Sequence, residues 1–277
     1  MIDLHCHSTA SDGTCSPLEL AQAAHGAGLS ACAITDHDTL EGIPEFVSQS
    51  SSACRLLPGI EISCAWYHST IHILGLFIDP EQQELVELVS EIQSHRKNRN
   101  LRLLERLQRQ GCEITFESVR KHSGGVVIAR PHFAQALVDE GCCVSHDDAY
   151  RNFLSDVRLR DLPRWQILPE RAIQAIHAAG GIASWAHPSG INRPPLSRVR
   201  RTSKELASKG LDALEALYSG HSPAQREAIQ ELASALSLKI TGGSDFHGKN
   251  TPFLKLGVGR GDLIVPDSVL AQFQQTA

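Results

Sequence analysis

Met1-Ile2-Asp3-Leu4-His5-Cys6-His7 opens the chain, and Ala31-Cys32-Ala33-Ile34-Thr35-Asp36-His37-Asp38 follows the same plan: a short apolar run that ends in imidazole and carboxylate. Each run reads as a buried strand, and residues two apart in a strand share a face with ~6.6 Å between them. Between the two, Ser16-Pro17-Leu18-Glu19 combines a capping box with proline at the first helical position, which predicts a helix closed by Gly26 or Gly28. Working outward, strands are expected over 56–63, 71–77, 182–186, 211–217 and 238–242, and helices over 40–49, 170–179, 204–208, 223–236 and from about 267. This alternation favours an α/β fold with a parallel layer or barrel. One stretch breaks the rhythm. A long helical pattern runs from 81 to 110 without Gly or Pro, and 100–165 then holds short helical patterns and few strand signals, so it reads as a small helical insertion between 1–99 and 166–277.

The 277 residues, 42% of them hydrophobic, suit one large domain or one with an insertion. No run reaches the ~18 apolar residues of a membrane span. The N-terminus shows an acid and two histidines where a leader would carry a basic and then an apolar region. Eight cysteines include no Cys-x-x-Cys pair, so free thiols in a reducing cytoplasm are expected. A net charge of −5 argues against a nucleic-acid-coating protein, but residues 95–165 carry 13 Lys/Arg against 9 Asp/Glu, a mildly basic module suited to small anions or short nucleic acids. Nothing calls for a stable protein partner.

Histidine is the outlier, with 14 in the chain. His5 and His7 end the first strand, Asp36-His37-Asp38 the second, and Glu61 sits inside the apolar run Gly59-Ile60-Glu61-Ile62-Ser63. His72 alternates with Ile71 and Ile73, His187 ends another strand, and Asp245 and His247 follow Gly242-Gly243-Ser244. A buried carboxylate must be paired, protonated or metal-bound. Taken singly, each residue has a structural reading as a cap or a hydrogen-bonded core histidine. Five or six strand ends that all deliver N and O donors, with almost no thiolate, point instead to convergence on two or three divalent ions such as Mn²⁺, Fe²⁺ or Zn²⁺.

Asp3-Leu4-His5-Cys6-His7-Ser8, Asp12-Gly13, Ile34-Thr35-Asp36-His37-Asp38, Gly59-Ile60-Glu61-Ile62-Ser63, His72-Ile73-Leu74-Gly75, Ala186-His187-Pro188 and Gly243-Ser244-Asp245-Phe246-His247 together resemble the PHP family, named for polymerase and histidinol phosphatase domains. The resemblance implies a distorted (β/α)₇ TIM-like barrel with its metals on the rim. It implies His5, His7, Glu61 and Asp245 around one metal; Glu61, His72 and His132 around a second; and Asp12, His37 and His247 around a third. Such ions make hydroxide available near neutral pH and neutralise phosphate charge. Asp38 and His187 are the candidate proton donors to the leaving alcohol. Arg130, Arg164 and Arg193 are candidate phosphate contacts, and Trp165 or Tyr67 a stacking surface for a base.

The segment Arg130-Pro131-His132-Phe133 resembles a stand-alone branch whose members remove the 3′-phosphate of nucleoside 3′,5′-bisphosphates and trim short oligoribonucleotides from the 5′ end. A small phosphorylated nucleotide or short oligonucleotide is therefore the expected substrate. A histidinol-phosphate-type phosphatase and a non-catalytic metal-binding module are the alternatives.

Overall fold

The computed structural model describes residues 1–67, 69–162, 165–190 and 194–274. The first sheet is parallel, with β1 (Ile2–Cys6), β2 (Ala31–Ile34) and β3 (Arg55–Leu57) side by side. The second runs in the order β4 (Gly59–Trp66), β5 (Ser69–Leu76), β6 (Ile182–Trp185), β7 (Ala213–Tyr218), β8 (Lys239–Gly243). In it, β5 lies antiparallel to both β4 and β6, while β6, β7 and β8 are parallel.

The fold is thus mixed α/β, and the expected closed barrel is not what the described strands form. Two local features explain the departure. Pro58 has no N–H to give a ladder, and the single strand expected over 56–63 divides there into β3 and β4. The tight return between Trp66 and Ser69 then sends the chain back antiparallel. The two sheets still meet at the ends that carry the chemistry. His7 N–H donates to Phe246 O at 2.9 Å and Asp245 N–H to His5 O at 2.9 Å, joining β1 to the end of β8. On the other side Asp38 N–H donates to Glu61 O at 3.0 Å and Glu61 N–H to Asp36 O at 3.2 Å.

Helix α1 (Pro17–Gly26) starts as expected, with Ser16 and Glu19 closing a reciprocal capping box. It is followed by the short α2 (Ile43–Val47) and then by α3 (Gln83–Arg109), an unbroken helix of 27 residues. Leu85, Leu88, Val89 and Ile92 of α3 pack into the main core with the sheets and α7 (Pro169–Ala178). Leu103, Leu104 and Leu107 instead enter a second core with α4 (Phe116–Arg120), α5 (Arg130–Asp139), α6 (His146–Ala149) and the π turn Tyr150–Leu154. The boundary expected at 99/100 therefore falls inside a helix that both cores share. Helices α8 (Leu196–Ala207), α9 (Pro223–Ala235) and α10 (Asp267–Gln274) complete the fold. Among the described residues, no helix is long and apolar enough to cross a membrane.

Gly243 marks how closely β1 and β8 approach. A Cβ there would lie 2.4 Å from His5 Cβ and 2.5 Å from His5 N, both on rigid strand. Gly243→Ala is expected to cost about 1–3 kcal/mol through overpacking. A thermal melt should record a drop of several degrees, and an unchanged midpoint would show that this seam yields.

Candidate metal centre

His5, His7, His37, His187, Asp245 and His247 come from strand ends or the turns after them, Asp12 from the loop after β1, and Glu61 and His72 from within β4 and β5. Glu61, 1% exposed, lies in the middle. Its Oε2 is 3.3 Å from His5 Nε2, 3.2 Å from His7 Nε2 and 3.0 Å from His37 Nδ1. Its Oε1 is 2.9 Å from both His72 Nδ1 and His187 Nε2. Asp245 Oδ1 faces His5, His7 and His247 at 3.3–3.5 Å, and Asp12 Oδ1 is 3.3 Å from His247 Nε2. The donors gather into four groups: His7, Asp12, His37 and His247; His5, His7 and Asp245; His5, Glu61 and His187; and His37, Glu61 and His72.

This donor set fits divalent ions on observations of the protein alone. A carboxylate offers about four acceptor sites, yet five imidazole nitrogens converge on Glu61. The Nε2 atoms of His5 and His7 stand 3.1 Å apart, a spacing at which only one proton fits between them. Among the described residues, Glu61 Oε2, His7 Nδ1 and His37 Nδ1 are buried with no aligned hydrogen-bond partner. Cations between these groups would satisfy all of them, and the N and O donors suit Mn²⁺, Fe²⁺ or Zn²⁺.

The protonation pattern shows the same crowding. Burial would lower His7, but hydrogen bonds to Asp245 and Glu61 raise it to about 10. Burial holds His37 down at about 4 against the pull of Glu61 and Asp12. The imidazoles around Asp12, Glu61 and Asp245 outweigh burial and keep all three carboxyls well below their usual range.

The surrounding polar groups fix these ligands in place. Glu215, fully buried in β7, takes His5 Nδ1 at 2.9 Å on one oxygen and the His187 backbone N–H at 2.7 Å on the other. Asp36 accepts the Ser8 N–H and the Ser8 and Ser11 hydroxyls, which shapes the turn carrying Asp12. Tyr218 donates its hydroxyl to Asp245 Oδ2 at 3.0 Å. Asp38, His187 and Asp245 all have positive φ, 53°, 36° and 59°, a costly backbone for these residues that aims their side chains away from the strand direction.

With the site described, comparison with known proteins becomes informative. The PHP domain model matches residues 3–177. The chain belongs to the PHP domain family. As a PHP protein it is a hydrolase of the phosphoesterase class. It is 35% identical over 259 residues to the 5′-3′ exoribonuclease Rnm of Escherichia coli, covering 92% of this chain and 87% of that one. It is 31% identical over 252 residues to the 3′,5′-nucleoside bisphosphate phosphatase of Chromobacterium violaceum, covering 89% and 87%. The crystal structure of a candidate metal-dependent phosphoesterase from Bifidobacterium adolescentis superimposes with a TM-score of 0.85 at 32% identity, over 98% of this chain and 94% of that one.

Eight of the nine ligand positions named from the PHP resemblance fall in the four donor groups. His132 stands apart. It is buried near Asp12, but its Nδ1 accepts the Ala129 N–H at 3.1 Å at the start of α5, which leaves Nε2 alone for any other role. Asp38 needs correction as a proton donor. It is fully buried, accepts the Ser63 N–H at 2.8 Å and is ion-paired to Arg96. The Arg96 charge outweighs burial and holds its carboxyl below the usual range, so Asp38 serves as an anchor for Arg96. His187 joins the donor groups directly. Arg130 pairs with Asp156 at 2.7 Å beside the site, while Arg164 and Arg193 lie outside the described residues.

Glu215, Arg96 and Arg99 were not singled out by the sequence reading. Glu215 interrupts an apolar strand just as Glu61 does, and that signal was available. The two arginines sit on a long polar helix whose facing surface periodicity alone does not reveal.

Glu215→Gln is expected to weaken metal affinity about 10–100-fold by loosening His5, while His5→Ala removes metal and turnover together. Metal titration monitored alongside circular dichroism checks both. Wild-type affinity in the Glu215 variant would leave that carboxylate with a purely structural part.

Proposed function

We propose that the protein hydrolyses the P–O3′ bond of 5′-phosphorylated nucleotides, removing the 3′-phosphate of nucleoside 3′,5′-bisphosphates and trimming short oligoribonucleotides from the 5′ end. One observation carries this reading. A cavity of about 210 Å³ is lined by the candidate ligands Asp12, His37 and His72 together with Arg96, Arg99, Arg130 and Trp165. A ligand bearing two phosphates matches that arrangement. The names of the exoribonuclease and bisphosphatase relatives support the same substrate class.

Two or three ions, of Mn, Fe or Zn, would be held by His5, His7, Asp12, His37, Glu61, His72, Asp245 and His247. Bound there, they supply Lewis acidity and acidify water near neutral pH.

The chain's own groups do the rest. Arg96 is held by Asp38, and Arg130 by Asp156 and by the Leu154 carbonyl at 3.3 Å. Burial first, then repulsion from Arg130 and Arg96, lowers Arg99 to about 10. Three guanidiniums crowded this way are relieved by a phosphate dianion, which Arg binds as a planar fork. Trp165 stacks on His95 with ring centroids 4.0 Å apart and planes 13° apart, forming a flat wall of the size of a base. Residues 100–165 are accordingly read as a substrate-facing insertion. Its loop is seated tightly against the turn that leads to Asp12, because a Cβ on Gly125 would lie 2.7 Å from Ala10 O. His187 Nε2 lies 2.9 Å from Glu61 Oε1, a hydrogen bond in the tautomer that carries the proton on that nitrogen. We assign it the proton for the departing O3′. Eight free thiols support a reducing cytoplasm as its location.

Steady-state assays with Mn²⁺ on adenosine 3′,5′-bisphosphate and histidinol phosphate test the reading. The bisphosphate is expected to give the higher kcat/KM, and preference for histidinol phosphate would overturn it. Arg99→Ala and Arg130→Ala should each raise KM for the bisphosphate about tenfold with metal content intact. Wild-type KM in both would remove the arginines from the binding site.

A further inference from the structure

Hydrolysis of a 3′-phosphate and trimming of an oligonucleotide break the same bond. Water oxygen joins phosphorus, the P–O3′ bond breaks, and O3′ leaves with a proton. With a bisphosphate the product is inorganic phosphate. With an oligonucleotide the phosphate stays on O5′ of the next nucleotide, so a second nucleoside must find room on the far side of the ligands from the arginine cavity.

A second cavity of about 90 Å³ also reaches the centre, lined by Trp66, Trp185, His72, His187 and Arg198. It shares His72 with the arginine cavity, so the centre faces two spaces. Its outer wall is α8, which turns Val199, Thr202, Ser203 and Leu206 inward and exposes Arg198, Arg200, Arg201 and Lys204. Among the described residues, Arg198, Arg200 and Lys204 have no carboxylate within pairing distance, and Arg201 meets Glu205 at 3.4 Å. Four exposed cations on one helix stand out in a chain of net charge −5.

Tyr67, 66% exposed, lies against this helix. Its hydroxyl donates to Glu205 at 2.7 Å, and the Arg201 guanidinium sits 5.3 Å from its ring centroid. Trp66 Nε1–H donates to Thr202 at 3.2 Å, which ties the same hairpin end to α8. An exposed aromatic ring beside a row of exposed cations is the combination that holds a single strand of nucleic acid.

We propose that this cavity and the exposed face of α8 bind the downstream nucleotides of a single-stranded oligoribonucleotide while its 5′-terminal nucleotide occupies the arginine cavity. The proposal rests on the function proposed above. A larger cavity of about 780 Å³ beyond Arg96 also carries Lys97, Arg120 and Lys121, but Glu41 and Glu117 share its lining and no donor-group residue reaches it. The Arg96–Asp38 ion pair and the Asn100–Ile128 hydrogen bond at 2.8 Å stand at its boundary with the centre.

The test compares wild type with Arg198→Ala/Arg201→Ala on adenosine 3′,5′-bisphosphate and on a 5′-phosphorylated pentaribonucleotide at several salt concentrations. The double variant is expected to lose at least tenfold in kcat/KM on the pentanucleotide. Its log–log salt dependence should flatten by about 0.7 per lost contact, and the bisphosphate should be turned over within twofold of wild type. Arg198→Lys/Arg201→Lys should keep most pentanucleotide activity, because the charge remains. An unaffected pentanucleotide rate, or equal losses on both substrates, would overturn the proposal. Wild type that cleaves the bisphosphate but no oligonucleotide would overturn it while leaving the bisphosphatase activity in place. Failure on both substrates would sink the proposed function itself.

Discussion

Five imidazole nitrogens within 3.3 Å of one buried carboxylate is an arrangement that protein groups alone satisfy poorly. Each neutral imidazole has one donor and one acceptor nitrogen, and the buried centre has too few protons to give every contact a hydrogen bond. The fold nonetheless imposes the crowding from every side. Glu61 comes from β4, His5 and His7 from the end of β1, His37 from the end of β2, His72 from β5 and His187 from the end of β6. The cost of that crowding is offset by the apolar side chains that the same strands bury in the clusters around the centre. Part of the compensation is local, through Glu215, Asp36 and Tyr218, each of which spends its hydrogen bonds on orienting a ligand or the turn that carries one.

The break in the sheet is related to that geometry. Were β3 and β4 one strand, the Glu61 and Asp36 backbones would join a regular ladder. Pro58 instead separates them, and only isolated bridges knit the sheets together beside the ligands. The same ends hold the three left-handed residues Asp38, His187 and Asp245. Irregular backbone is thus found beside Glu61 and His72, which the regular strands β4 and β5 themselves carry.

Much of this was legible in the residues. Apolar runs ending in His, Asp or Glu marked the strand ends, and the order of those runs marked convergence. The capping box at Ser16 and the uninterrupted pattern before Gly111 marked α1 and α3. Other features were hidden for physical reasons. Sheet closure depends on pairing between distant strands, and alternation of strands and helices says nothing about an antiparallel return at Trp66. Asp38 carries the same carboxyl as any catalytic acid in sequence, and only its neighbour Arg96, on a different element, decides its charge. Arg96 and Arg99 were lost among the polar residues of a long helix because their role comes from what faces them. Helix α8 was underestimated in length, since its basic surface looks like loop until Val199, Thr202 and Leu206 are seen to be buried.

Helix α3 runs without interruption from one hydrophobic core into the other, with Arg96 and Arg99 near the middle. A rod clamped at both ends cannot tilt or slide at its centre without disturbing the packing at Leu88 or at Leu107. An anion bound by the guanidiniums, as proposed, would therefore be coupled to the mechanical integrity of the small helical lobe: whatever steadied the one would steady the other.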